Sequence, residues 1–176
     1  MLSIFFIGLA VSMDAFSLSI SIGTTNIKRQ GKIILAISIG VMHFIMPLMG
    51  FLFGNQIFKI IPVNITIFNV LVFTYLGISM LLKRKEENKF KYSLINAVVL
   101  AFCVSIDSFS IGLGLNDITS NILISSMTFA LLSGIISGVG LILGNKIFNL
   151  LKEKAIIIGA FILFVLAIVN LMKEVF

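Results

Sequence analysis

The sequence predicts an all-α integral membrane protein with six transmembrane helices, arranged as two inverted three-helix repeats with both termini outside. Composition, the spacing of apolar segments and a motif that occurs twice support this prediction. The chain has 176 residues, of which 59% are hydrophobic and only 11% charged, and its mean hydropathy is +1.19. These values are typical of membrane proteins and exclude a soluble globular domain.

Six apolar segments each approach the ~20 residues that a helix needs to cross a bilayer. They cover residues 2–22, 33–53, 63–82, 94–115, 122–143 and 155–172. The first segment has no basic residues before it and contains Asp14, which distinguishes it from a secretory signal. We therefore expect all six segments to remain in the mature protein as helices.

The distribution of basic residues predicts the orientation in the membrane. Eleven of the 13 Lys and Arg residues follow the first, third and fifth segments. They are Lys28, Arg29, Lys32, Lys83, Arg84, Lys85, Lys89, Lys91, Lys146, Lys152 and Lys154. Because basic residues collect in cytoplasmic loops, these three connections should lie in the cytoplasm. The net charge of +6 then reflects contact with anionic membrane lipid, and no nucleic-acid partner is needed to explain it.

A heptapeptide with a central aspartate occurs once in each half of the chain. VSMDAFS at residues 11–17 returns as VSIDSFS at residues 104–110, with five of seven positions identical. Asp14 and Asp107 therefore lie at equivalent places in the first and fourth segments. Because an aspartate at the centre of a membrane helix costs about 2.5–3.5 kcal/mol on insertion scales, the duplication indicates one functional site that was built twice.

A second pair of similar segments extends the repeat. GFLFGNQIF at residues 50–58 corresponds to GLILGNKIF at residues 140–148. The predicted organisation is a first repeat over 1–82, a basic cytoplasmic connector over 83–93 and a second repeat over 94–176. Because each repeat contains an odd number of helices, the second must cross the membrane in the opposite direction. Inverted repeats are a common transporter plan, with the substrate site near the midplane.

The two aspartates are the first candidates for a substrate site. With every basic residue predicted outside the membrane interior, Asp14 and Asp107 are expected either to be protonated and hydrogen-bonded or to share a cation, and we favour a cation or proton pathway. Helical spacing places Ser17 on the face of Asp14, and Ser110 on the face of Asp107. Carboxylate, hydroxyl and carbonyl oxygens suit hard cations such as Mn²⁺, Mg²⁺ or Ca²⁺.

His43, the only histidine, lies in the second segment one turn before Pro47. An imidazole ligand would favour Mn²⁺, Fe²⁺ or Zn²⁺ over Mg²⁺ and Ca²⁺, whereas an interhelical hydrogen bond is an equally good explanation. Cys103 is the only cysteine, which excludes an intramolecular disulfide and argues against a cysteine metal cage.

Four short motifs occur within the predicted segments: MDAF at residues 13–16, MPLMG at 46–50, SIDS at 105–108 and GLGL at 112–115. Together they resemble the MntP-type manganese exporters, small bacterial proteins with six helices. The resemblance implies a secondary transporter, not an enzyme, that exports Mn²⁺ across the bacterial inner membrane. It also implies that Asp14 and Asp107 bind Mn²⁺ as the substrate, with no resident cofactor. At the position of His43 the family tends to carry an acidic or amide residue.

Two other functions are compatible with the sequence. The chain could be a non-transporting membrane protein of envelope or spore assembly, or it could export another substrate such as Cd²⁺ or an amino acid. No Walker sequence is present, so proton antiport is one way to drive export. The sequence leaves the oligomeric state open, and a homodimer is one of the states that it allows.

Overall fold

The computed structural model describes residues 2–25, 27–60, 65–82, 94–114, 121–151 and 153–175. These residues form six α-helices, one for each predicted segment. The helices are α1 (Leu2–Gly23), α2 (Arg29–Ile60), α3 (Ile65–Leu82), α4 (Leu94–Gly114), α5 (Ile122–Leu151) and α6 (Glu153–Val175). The all-α prediction is confirmed. The predicted connector at 83–93, and the loop at 116–121 apart from Asn121, lie outside the described residues.

Two helices are longer than predicted. α2 has 32 residues and α5 has 30, which at 1.5 Å per residue is about 45–48 Å, against a hydrocarbon core of about 30 Å. Arg29, Lys32, Lys146 and Lys154 were predicted in loops. The first three lie in the terminal parts of these two helices, and Lys154 lies at the start of α6. The prediction of loops was wrong there because helical hydrogen bonding continues into the headgroup region, where charged side chains are solvated.

The surface of the bundle is apolar. Four helical stretches within the described residues are long and apolar enough to cross a membrane, namely Ser3–Gly23, Arg29–Phe53, Leu94–Gly112 and Ile122–Leu151. Large apolar side chains also face outward on all six helices, including Leu82 on α3 and Leu150 on α5. Because water would not favour such a surface, these features indicate a multi-pass membrane protein.

The interior is formed by all six helices together. α1 packs along α5, α2 along α4 and α3 against α6, while α2 also contacts α5. The largest apolar cluster includes Leu18, Ile39, Phe73, Leu141 and Leu163. The C-terminal end of α1 is capped by side chains. The Thr24 and Thr25 hydroxyls donate to backbone carbonyls three residues earlier, at 2.6 and 2.7 Å.

A glycine contact brings the backbones of α2 and α4 together. A Cβ atom added at Gly50 would overlap the carbonyl oxygen of Phe109, and one added at Gly112 would overlap the carbonyl oxygen of Pro47. Only glycine permits such a close approach of two helices. The contact at Phe109, two residues after Asp107, fixes the position of α4 against α2.

A corresponding contact joins α1 and α5. A Cβ atom added at Gly140 would lie 2.8 Å from the carbonyl oxygen of Phe16, and one at Gly144 would overlap the carbonyl oxygen of Ile20. Closer to the start of both helices, a Cβ at Gly8 would lie 2.8 Å from the ring of Phe129. Because contacts advance along both helices together, α1 and α5 run side by side in the same direction.

Candidate functional site

Asp14 and Asp107 have equivalent surroundings near the middle of α1 and α4. Both side chains are half-buried. In each helix the carbonyl oxygen two residues after the aspartate, that of Phe16 or Phe109, packs on a glycine of the neighbouring long helix. Each carboxylate is therefore carried on a backbone segment that is held by an interhelical contact.

The Asp107 carboxylate is also held by its own helix. Its Oδ1 atom accepts a hydrogen bond of 2.9 Å from the backbone N–H of Ser108. A carboxylate oxygen can accept more than one hydrogen bond or coordinate a cation as well. This contact orients the carboxylate and still leaves it chemically able to bind an ion.

His43 is fully buried in α2, and its geometry fixes which ring nitrogen is available. The Nδ1 atom lies 2.9 Å from the carbonyl oxygen of Ile39. Because a carbonyl can only accept, Nδ1 must be the donor, so in a neutral imidazole Nε2 carries the lone pair. Nε2 is buried and has no hydrogen-bond partner among the described residues. An imidazole held by Nδ1–H to a backbone carbonyl is the arrangement that metal-ligating histidines use.

Asp14 and His43 lie within electrostatic range of each other, although they belong to different helices. Within the part of the chain that the structure describes, however, no group of three or more His, Cys, Asp or Glu side chains could hold a metal ion together. An ion in this conformation would need further ligands from hydroxyl groups, backbone carbonyls or water. Hard divalent cations commonly keep several such neutral oxygen ligands.

The two serines predicted beside the aspartates occupy different environments. Ser17 is half-buried, whereas Ser110 is exposed on the surface of the bundle. One turn beyond Ser17, the buried hydroxyl of Ser21 donates to the carbonyl oxygen of Gly159 in α6 at 2.8 Å. Ser21 is therefore already hydrogen-bonded, and Ser17 is the better candidate to provide a hydroxyl ligand beside Asp14.

Sequence reasoning did not single out a set of buried hydroxyl groups. Five fully buried serines have side-chain oxygens without a hydrogen-bond partner among the described residues, and they are Ser19, Ser108, Ser126, Ser133 and Ser137. Three of them lie on α5 at spacings of seven and four residues, which places them on one helical face. The spacing of these serines along α5 was the signal available in the sequence.

A protein-family model described as "Putative manganese efflux pump" (Mntp) matches residues 26–171. No solved structure matches the chain.

Individual relatives carry the same description, "Putative manganese efflux pump MntP". The protein from Bacillus mycoides (strain KBAB4) is 31% identical over 157 residues, covering 88% of this chain and 86% of the relative. The protein from Bacillus pumilus (strain SAFR-032) is 30% identical over 166 residues, covering 93% of this chain and 90% of the relative. The protein from Oceanobacillus iheyensis is 27% identical over 165 residues, covering 92% of this chain and 91% of the relative. The chain therefore belongs to the MntP family of manganese efflux pumps.

Proposed function

We propose that the protein is a secondary transporter that exports Mn²⁺ from the cytoplasm across the bacterial inner membrane, with Asp14 and Asp107 binding the ion near the midplane. The observation that carries this proposal is the duplicated aspartate on α1 and α4, each held by a glycine contact to a long neighbouring helix. Membership of a manganese efflux pump family supports the substrate and the direction.

The charge of the substrate explains why two carboxylates would be needed. Two ionised carboxylates offset the charge of one divalent cation, whereas either one alone in the membrane interior is costly. The described basic residues lie toward helix ends, as Lys32 of α2 and Lys146 of α5 illustrate. A bound divalent cation would offset the charge of the two aspartates. His43 would add a nitrogen ligand through Nε2, and Ser17 would add an oxygen.

Inverted repeats would let the same site face either side of the membrane. The contact pattern supports this arrangement, because Gly50 meets the Phe109 carbonyl just as Gly140 meets the Phe16 carbonyl. The glycines are 90 residues apart and the phenylalanines 93 residues apart in the sequence. The common direction of α1 and α5 is the one that a chain crossing the membrane at every helix would give. In this arrangement, rocking of one repeat against the other would open the site alternately.

Proton exchange is the coupling that this site can provide. When Mn²⁺ leaves, both carboxylates would lose its positive charge inside the membrane, so at least one would take up a proton. A new ion would then displace that proton. Export would thus be driven by protons entering the cell.

A test in cells addresses the proposed function directly. The protein is expressed in a bacterial strain that lacks its own manganese exporter, and growth and cell manganese are measured in medium with added Mn²⁺. We expect expression to lower cell manganese and to restore growth. Unchanged cell manganese at a verified membrane level would contradict the proposal. Relief from Cd²⁺ but not from Mn²⁺ would instead indicate a different exported ion.

A further inference from the structure

Five buried serine hydroxyls and the Nε2 atom of His43 have no hydrogen-bond partner among the described residues of this apolar bundle. All six side chains are completely buried. Leaving a buried polar group without a hydrogen bond costs about 1–3 kcal/mol, and the membrane offers no water from outside to reduce that cost. Such a set is stable when water or an ion within the protein satisfies it.

Serines elsewhere in the same helices avoid this cost. A serine in a helix can donate to a backbone carbonyl three or four residues earlier. Ser12, Ser105 and Ser125 form this bond, at 2.7, 2.7 and 3.2 Å. Ser126 follows Ser125 directly and is equally buried, yet its hydroxyl has no partner among the described residues. Among the described residues, these hydroxyls therefore do not form the local bond that their own helix could offer.

The three unpaired serines of α5 share one narrow face of that helix. At 100° per residue, Ser126, Ser133 and Ser137 fall within an arc of about 40°. This arc lies between two glycine contacts, in which Gly140 meets the backbone of α1 and Gly134 meets the backbone of α2. The hydroxyls consequently border the space where α1, α2 and α5 come together.

The predicted repeat relates these serines to His43. The shift of 90 residues that takes Gly50 to Gly140 also takes His43 to Ser133, and it takes Pro47 to Ser137. In the first half, the imidazole is a ligand candidate, and Pro47 frees the backbone carbonyl of His43 from its helical hydrogen bond. In the second half, two hydroxyls stand at the corresponding positions.

We infer that Ser133 and Ser137 of α5 bind the transported divalent cation as neutral oxygen ligands, in a water-filled passage between α1, α2 and α5. The inference rests on the proposed function and assigns ligands beyond the aspartates and His43. Hydroxyl oxygens suit a hard cation such as Mn²⁺ that keeps part of its water shell. Neutral ligands also hold the ion weakly enough for it to move on.

Cysteine accessibility tests the passage separately from transport. Ser133→Cys and Ser137→Cys are made in a Cys103→Ser background, reconstituted in liposomes, and treated with a small, charged thiosulfonate reagent with and without Mn²⁺. Ile135→Cys is the matched control, since Ile135 lies between them in sequence but is 65% exposed on the apolar surface. Because a thiol reacts as the thiolate, which needs a polar environment, we expect both serine positions to react at least about tenfold faster than the control.

The outcomes separate the inference from the proposed function. Slower reaction in the presence of Mn²⁺, but not of Na⁺ at equal ionic strength, would support ion binding by Ser133 and Ser137. Reaction no faster than that of Ile135→Cys would overturn the passage, and fast reaction without protection by Mn²⁺ would overturn the ligand role. If the wild-type protein showed no Mn²⁺ flux while Mn²⁺ still protected both cysteines, the proposed export would fail but the binding inference would stand.

A second measurement uses the native chemistry of the serines. The double variant Ser133→Ala/Ser137→Ala should raise the Mn²⁺ concentration for half-maximal flux about tenfold, the effect of losing about 1.4 kcal/mol of binding. Ser125→Ala is the matched control, because its hydroxyl is already paired within the helix. Equal flux curves for the double variant and this control would overturn the ligand role.

Discussion

Replacing Gly50 by alanine should separate α2 from α4. A Cβ atom at Gly50 would overlap the carbonyl oxygen of Phe109 and would lie 2.9 Å from its carbonyl carbon and 3.1 Å from the Cα of Gly112. Because carbon atoms in contact prefer about 3.5–4.0 Å, the helices would have to move apart by roughly 0.5–1 Å. Backbone atoms cannot rotate away as a side chain could.

The cost of Gly50→Ala should therefore lie near the upper end of overpacking effects, about 3 kcal/mol. For a chain of this size that corresponds to a melting temperature lower by roughly 6–12 °C. The assay is thermal unfolding of the purified protein in detergent. Gly138→Ala is the matched control, because a Cβ there would meet no described heavy atom within 4 Å. Equal melting temperatures for the two variants would refute the backbone contact.

Three further predictions concern selectivity, topology and packing. His43→Gln should retain part of the Mn²⁺ flux but lose preference for Mn²⁺ over Mg²⁺, because the lost nitrogen ligand matters less to Mg²⁺; an unchanged competition curve would remove His43 from the site. Cysteines at Asn88 and Thr119, in a Cys103→Ser background, should react with an impermeant reagent in intact spheroplasts only at Thr119; the reverse would invert the topology. Ser21→Ala should lower the free energy of unfolding by about 0.6 kcal/mol, since it removes the 2.8 Å bond to α6; unchanged thermal unfolding would show that the bond contributes nothing.

The helices could be predicted because membrane length and hydropathy constrain them strongly. All six predicted segments correspond to helices in the structure. The ends of α2 and α5 could not be predicted by the same means, because hydropathy marks where the hydrocarbon core ends and not where helical hydrogen bonding ends. Arg29 and Lys146 illustrate this, since both are charged and both are helical.

The packing of the helices could be predicted only in part from the sequence. The sequence repeated Gly50 at Gly140, but it did not say which helix each glycine meets. Gly138 shows the difficulty, because it lies one turn after Gly134 on the same helix, yet a Cβ atom there would meet nothing within 4 Å among the described residues. The direction in which a glycine faces depends on how the helices are arranged in three dimensions.

The candidate site was predicted through its charged members and not through its neutral ones. Asp14 and Asp107 stand out because a charge within an apolar segment is expensive. Serine is tolerated in membrane helices, where it can bond to its own backbone, so its presence alone carries little information. Only coordinates separate Ser125, whose hydroxyl is paired, from Ser126, whose hydroxyl has no partner in the described part of the chain.

Mn²⁺ flux into liposomes, measured with charge-neutralising variants, tests most directly whether the two aspartates bind the exported ion. Asp14→Asn and Asp107→Asn keep the shape of the side chain and remove its charge. Each should reduce flux to the level of protein-free liposomes while the melting temperature stays close to that of the wild type, since the amide avoids the cost of a charge in the membrane. Wild-type flux in either variant would contradict the claim.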